Sequence, residues 1–248
     1  MKPTIQTVLL IFSICCCTTQ KEVVNTSNAK FIFKANIEKV GSATIPEISD
    51  VSKCIVTKIN EVFYAPSDFA DWTGRSITVV VKDPEKKKVG SEMVFYTNGW
   101  LYGKSLAVIE IESIDAGQIS KEQVLKEVQA GKDSRVRERL RKSELVVSGE
   151  ILDVKETKKQ SARSEHDPKW TNAVIRIDTL IMGQIAENDV IIQFASSKDV
   201  MWANSPKFTM GEKGIWLLRR SEDKVYTVIE SMDFYPIEKL EYIQSLLK

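Results

Sequence analysis

FKANIEKV (33–40) and VSGEILDV (147–154) open two series of five segments that match in order. VTKINEVF (56–63) matches VIRIDTLI (174–181), and ITVVV (77–81) matches VIIQF (190–194). VGSEMVFY (89–96) then matches MGEKGIWL (210–217), and AVIE (107–110) matches TVIE (227–230). Every segment is rich in β-branched residues, whose stiff side chains pack well on a pleated surface. The chain is therefore read as two copies of one small β domain. Its 248 residues suit two domains of about 100 residues each.

The segments between the copies read as helix. Ser120 and Gln123 have the spacing of a capping box, and Val124, Leu125 and Val128 form one apolar stripe. Gly131 suits a helix C-terminus, with a second short helix over 135–142. There, Arg135, Arg137, Arg139, Arg141 and Lys142 read as a solvated face flanking buried Val136 and Leu140, in preference to an anion site. A last helix over 237–247 places Leu240, Ile243, Leu246 and Leu247 at helical spacing and is expected to close an open end of the second copy. The expected order is a tether over 17–30, a first repeat over 31–114, a helical linker over 115–143, and a second repeat with a C-terminal helix over 144–248.

Five short strands with connections of unequal length suit a Greek-key barrel of the oligonucleotide/oligosaccharide-binding type. The fold expected is mainly β with helical additions: two tandem five-stranded OB-like barrels. A seven-strand immunoglobulin-like sandwich is the competing architecture. ELVVSGEILDVKE (144–156), AVIRIDTLIMGQIAENDVIIQF (173–194) and FTMGEKGIWLL (208–218) resemble netrin-like domains and tissue inhibitors of metalloproteinases. The likeness covers about 90 residues and implies the barrel fold. The disulfides of that family are absent here. Its inhibitory device, a free N-terminal Cys that chelates a metal, does not carry over.

The N-terminus supplies a different kind of signal. Lys2 precedes an apolar run over 5–16, too short for a bilayer core of about 30 Å. The run ends in Cys15, Cys16 and Cys17 and turns abruptly polar. This resembles a bacterial lipoprotein signal: a signal peptide over 1–16 and lipidation, with palmitate among the acyl groups, at Cys17. Cys16 is the alternative acceptor. The resemblance implies a lipid-anchored, extracytoplasmic protein of the bacterial cell envelope, with the outer membrane favoured. With Cys17 acylated, Cys54 has no partner for a disulfide and is expected to be a small, partly buried hydrophobe, not a reactive thiol.

The two copies diverge in their connections. Matched segments start 114, 118, 113, 121 and 120 residues apart (147 against 33, 174 against 56, 190 against 77, 210 against 89, 227 against 107). The second copy is thus four residues longer after its first segment, five shorter after its second and eight longer after its third. Strands set a scaffold and loops carry binding, so the two expanded loops are the places to look. One holds Glu165, His166, Asp167, Pro168, Lys169 and Trp170; the other runs over 196–208 with Asp199, Met201, Trp202, Lys207 and Phe208.

His166 is the sole histidine, and with Glu165 and Asp167 it forms a thin candidate metal set. Adjacent residues of an extended segment point to opposite sides, so a plain turn at Asp167–Pro168, with His166 bonded locally and Trp170 entering the core, is the preferred reading. Trp202 with Asp199 and Lys207 suggests an aromatic platform with charged neighbours; the plainer alternative packs Met201, Trp202 and Phe208 into the barrel. In the first copy, Trp100 and Tyr102 lie between Gly99 and Gly103, either in a loop that presents them to a partner or, the preferred reading, in a tight hairpin whose aromatics fold back on the sheet. No nucleophile–base arrangement, phosphate loop or HExxH motif is present. The expected role is binding or scaffolding with a protein or glycan partner and no cofactor. A metal-assisted hydrolase centred on His166 is the alternative. Nucleic-acid binding is disfavoured by export and by charge, since removing residues 1–16 leaves 34 basic against 34 acidic side chains.

Overall fold

The computed structural model describes residues 28–103, 105–157, 166–221 and 224–248. The leader, Cys17, the tether as far as residue 27 and Glu165 lie outside the described residues, as do the side chains of Trp100 and Tyr102. The chain forms two compact units, divided between Ala116 and Gly117.

In the first unit, β1 (Phe31–Val40), β2 (Cys54–Tyr64), β3 (Ser76–Val80), β4 (Glu92–Tyr102) and β5 (Leu106–Asp115) close into a barrel in the order β1-β2-β3-β5-β4. Every pairing is antiparallel except the parallel one between β3 and β5. Alternation sorts the side chains. Phe31, Phe33, Ala35 and Ile37 of β1 point inward with Ile55, Ile59, Ile77, Val79, Phe95, Leu106 and Val108. Phe69 and Trp72, from the β2–β3 connection, complete this core.

The second unit repeats the scheme. β6 (Leu145–Glu156), β7 (Trp170–Met182), β8 (Asp189–Ala195), β9 (Lys213–Arg220) and β10 (Tyr226–Val228) pair in the order β6-β7-β8-β10-β9 and back to β6. β8 and β10 are the parallel pair. The continuous ring in each unit replaces the open-edged sheets of a sandwich. A short β11 (Phe234–Pro236) fills the remainder of the β9 edge. Its register, Pro236 opposite Gly214, corresponds to Asp115 opposite Met93 in the first copy. The fifth strand is thus continuous in one barrel and broken by a 3-10 turn, Ser231–Asp233, in the other.

Two helices cover the outside of the second barrel. α1 (Lys121–Lys142) is one continuous helix of 22 residues and does not stop at Gly131. Its capping box forms as expected: Gln123 N–H donates to Ser120 Oγ at 3.3 Å, and Ser120 N–H donates to Gln123 Oε1 at 2.8 Å. Gly131 costs such a helix about 1 kcal/mol, and a side-chain bond from Gln129 to Asp133 at 2.7 Å spans it. α2 (Leu240–Ser245) follows a 3-10 turn. It does not close a barrel end. Ile243 and Leu246 join Val136 and Leu140 of α1 against Val146, Ile215 and Leu217. These are the outward residues of β6 and β9, while their neighbours Leu145, Val147, Trp216 and Leu218 face the core. Because both faces of β6 and β9 are buried, LVV and IWLL read as unbroken apolar runs.

Arg139 is the exception on the expected basic face of α1: it is buried. Its Nε donates to Asp233 Oδ1 at 2.6 Å, its Nη2 donates to the same oxygen, and its Nη1 donates to Glu230 Oε1 at 3.0 Å. Asp233 Oδ2 accepts the Ile229 and Glu230 amides at 2.9 and 2.8 Å. One ion pair therefore holds the break in the fifth strand against α1. Arg139→Ala leaves the buried Asp233 carboxylate without its cation, and Asp233→Ala leaves the buried Arg139 with only the exposed Glu230; each is expected to destabilise the chain by about 3–5 kcal/mol in urea unfolding. The double variant should lose clearly less than the sum, because both changes remove the same interaction. Additive losses would count against the pair as a unit.

Candidate functional site

The two connections that lengthened in the second copy meet. Residues 166–170 lead into β7, and residues 196–208 follow β8. The β7–β8 ladder carries them side by side, since its last rung pairs Trp170 with Ala195. Beyond that rung, backbone and side chains continue the stitching. Ser196 N–H donates to the Lys169 carbonyl at 2.8 Å, and the Lys169 N–H donates to Ser197 Oγ at 2.6 Å. Thr171 Oγ1 reaches Ser196 Oγ at 2.9 Å.

Asp199 then starts a single 3-10 turn, Val200–Trp202, by accepting the Met201 N–H on its Oδ1 at 2.8 Å. Its other oxygen, Oδ2, stands 3.1 Å from His166 Nδ1. The Met201 amide, followed by His166, holds the Asp199 carboxyl below the usual carboxylate range. Trp202 turns back toward the first loop. Its indole N–H donates to the His166 carbonyl at 2.9 Å, and its ring meets Trp170 at 6.0 Å between centroids, tilted by 62°. The Lys207 ammonium donates to the carbonyls of Ala195 and, at 3.0 Å, of Trp202. Partial burial lowers its pKa.

Of the sequence candidates, His166, Asp199, Trp170, Trp202 and Lys207 share one surface unit, and Asp167 lies exposed at its edge. His166 bonds across 33 residues to Asp199. Trp170 opens β7 half-buried, and Trp202 is half-buried too. Of the residues expected to pack inside, only Phe208 does so, against Phe194, Trp216 and Phe234. Met201 is exposed, together with Val200, which the sequence reading passed over. The signal available was Asp199, a residue type favoured at the start of a helical turn. In the first copy, Trp100 and Tyr102 belong to β4, which runs on to Tyr102 before a tight hairpin turn into β5. Cys54 is a buried thiol whose pKa is raised, chiefly by burial.

Among the described residues, no group of three or more His, Cys, Asp and Glu side chains is placed to hold a metal ion. His166 and Asp199 make a pair, and Glu165 is outside the described residues. No helix among the described residues is long and apolar enough to cross a membrane. The chain matches no protein-family model and no curated protein. Among solved structures it is similar to the single-stranded DNA-binding protein of Thermus aquaticus, at 8% identity over 84% of this chain and 94% of that chain, with a TM-score of 0.21. At that score the likeness carries no argument about function.

The Asp199 cap has a pH signature. Its carboxyl has a lowered pKa in the folded chain, so the stabilisation it gives is present above the unfolded value near 3.8 and is lost as pH falls through the folded value. Asp199→Ala should therefore melt a few degrees below the parent chain at neutral pH, with the gap closing in acid below that range. A gap that stays constant into acid would rule out a charged cap.

Proposed function

We propose that this chain is an extracytoplasmic protein of a bacterial envelope, anchored by acyl groups on Cys17, that acts by binding or scaffolding. Its second barrel meets a protein or glycan partner through the 166–170 and 196–208 loops. The observation that carries the binding role is the convergence of the two expanded loops into one cross-braced unit. His166–Asp199, the Trp202–His166 hydrogen bond and the Trp170–Trp202 contact fix side chains that free loops would leave mobile. A surface fixed before encounter loses less entropy on binding, which is the advantage of pre-organisation. The leader supports the anchor: an apolar run of about a dozen residues ending at Cys17 suits a cleaved lipoprotein signal and not a membrane span. Acyl chains contribute about 0.8 kcal/mol per buried methylene, so more than one of them makes membrane attachment lasting. A balanced charge gives no long-range attraction for nucleic acid.

Growth with radiolabelled palmitate tests the anchor. The parent chain should take up label and sediment with membranes, and Cys17→Ser should lose both, while Cys16→Ser keeps both. Full labelling of Cys17→Ser would remove the anchor from this proposal. For the binding role, the anchored chain should retain a partner on pull-down from solubilised membranes that His166→Ala/Trp202→Ala retains at least about tenfold less.

A further inference from the structure

Val200 and Met201 are adjacent, and they are 85% and 69% exposed. Single exposed hydrophobes are ordinary on a protein surface. Two in succession at the tip of a braced turn need a reason, because the bracing keeps them out. The Val200–Trp202 segment is one 3-10 turn, with about three residues per turn, so its three side chains leave about 120° apart. Trp202 takes the inward direction, tied to the His166 carbonyl and set against Trp170. Val200 and Met201 take the other two. Asp199 caps the turn from one side and the Lys207 ammonium holds the Trp202 carbonyl from the other. The tip cannot fold its apolar side chains under without breaking these bonds.

We infer that this tip docks into an apolar socket on a protein partner. The inference rests on the binding role proposed above and specifies its partner class. An apolar centre of Val200 and Met201 within a rim of Lys198, Asp199 and His166 has the composition of a protein interface, where buried cores lose charge and Met is enriched. Met adapts to an irregular socket, and the braced turn presents it with little freedom left to lose. A membrane fits less well. The lysines around the tip, Lys169, Lys198 and Lys207, are interleaved with Asp167 and Asp199, and Lys207 is committed to two carbonyls. Among the described residues, no basic ring is left to seat the tip on anionic headgroups. A glycan fits less well too: Val200 and Met201 offer neither a flat ring nor a hydrogen bond, and the Trp202 N–H is already engaged.

The test uses the full chain in its native envelope. A photoreactive benzoylphenylalanine is placed at the tip (Met201→benzoylphenylalanine) or on the first barrel at Val89, which is 63% exposed (Val89→benzoylphenylalanine). The adduct partner is identified by mass spectrometry, purified, and titrated against the anchored chain in vesicles of phosphatidylethanolamine and phosphatidylglycerol. A protein adduct at the tip, with affinity for that partner falling at least about tenfold in Val200→Asp/Met201→Asp while thermal unfolding is unchanged, supports the inference. The rim variant Lys198→Glu should change affinity much less, since exposed rim charges act mainly on association rate. A tip adduct with lipid alone overturns the inference, as does a partner that binds the doubly substituted chain with parental affinity. A protein adduct at Val89 but none at the tip sinks the tip and leaves the binding role standing. No protein adduct at either site sinks both.

Discussion

Each barrel depends on one short parallel ladder. β3 meets β5 over three rungs, Thr78 to Ala107 through Val80 to Ile109, and β8 meets β10 over three more. All other pairings in the rings are antiparallel: those of successive strands, and the long-range pairing of the first strand with the fourth. Without the parallel ladder each unit would be a curled sheet with two open edges, a form that invites pairing with other chains. The fifth strand must therefore serve two neighbours, closing on the third strand and running along the fourth. In the first copy one unbroken strand does both. In the second, the strand serves β8 first, breaks at Ser231–Asp233, and resumes along β9. The break frees backbone groups, and Asp233 accepts the Ile229 and Glu230 amides there. The charge on Asp233 is in turn matched by Arg139, so a buried ion pair on a helix outside the barrel secures its closure.

Fill follows closure. Phe95 of β4 corresponds to Trp216 of β9, and the larger indole needs room. Gly214 provides it by letting the Phe234 ring lie over its backbone: a Cβ on Gly214 would sit 2.1 Å from Phe234 Cε2 and 2.8 Å from the Tyr235 carbonyl oxygen. Phe208, Trp216 and Phe234 then form a mutually tilted aromatic group, a geometry that ring quadrupoles favour. The Trp216 N–H has no hydrogen-bond partner in this core. A buried unpaired donor costs about 1–3 kcal/mol, so the indole is kept for its volume and not for its polarity. Lys87 and Glu110 do comparable work in the first barrel, paired at 2.7 Å and both nearly inaccessible. Burial opposes the Glu110 charge, but hydrogen bonds from Lys87, Ser113 and the Lys82 amide outweigh it and hold the carboxyl below its usual value.

Most of the strand framework was readable in the sequence, because five β-branched segments matched in order constrain the strand positions of both copies. What escaped were features set by contacts between distant segments. Gly131 has the local signature of a helix end, yet α1 continues, since packing against β6 and β9 outweighs a single weak position. The C-terminal helix has an apolar stripe whatever it covers, and its stripe alone could not distinguish a barrel end from a barrel wall. The LVV and IWLL runs held that information: residues apolar on both sides of a strand call for a second layer. In the candidate site, the loops were found by their lengths. The His166–Asp199 pairing was not, because it spans 33 residues and depends on how both loops leave the β7–β8 ladder.

The loop lengths themselves have a structural origin as well as a functional one. In the first copy the core is completed from the β2–β3 connection by Phe69 and Trp72. In the second, the corresponding β7–β8 connection is the one that is five residues shorter, and it contributes no buried aromatic. The missing volume arrives from the next connection, the one that is eight residues longer, as Phe208. Loss in one loop and gain in the other are therefore one change: the residue that fills the barrel has moved across a strand. That accounts for the end of the expanded loop, from Ser205 to Phe208, which is anchored to the core. It does not account for its beginning. A chain needing only Phe208 in place could reach it by a plain turn, without a capped 3-10 turn, a tryptophan tied to a second loop, or two apolar side chains held in water. Core repair explains where the loop ends, and the exposed tip at Val200 and Met201 is what that repair leaves over.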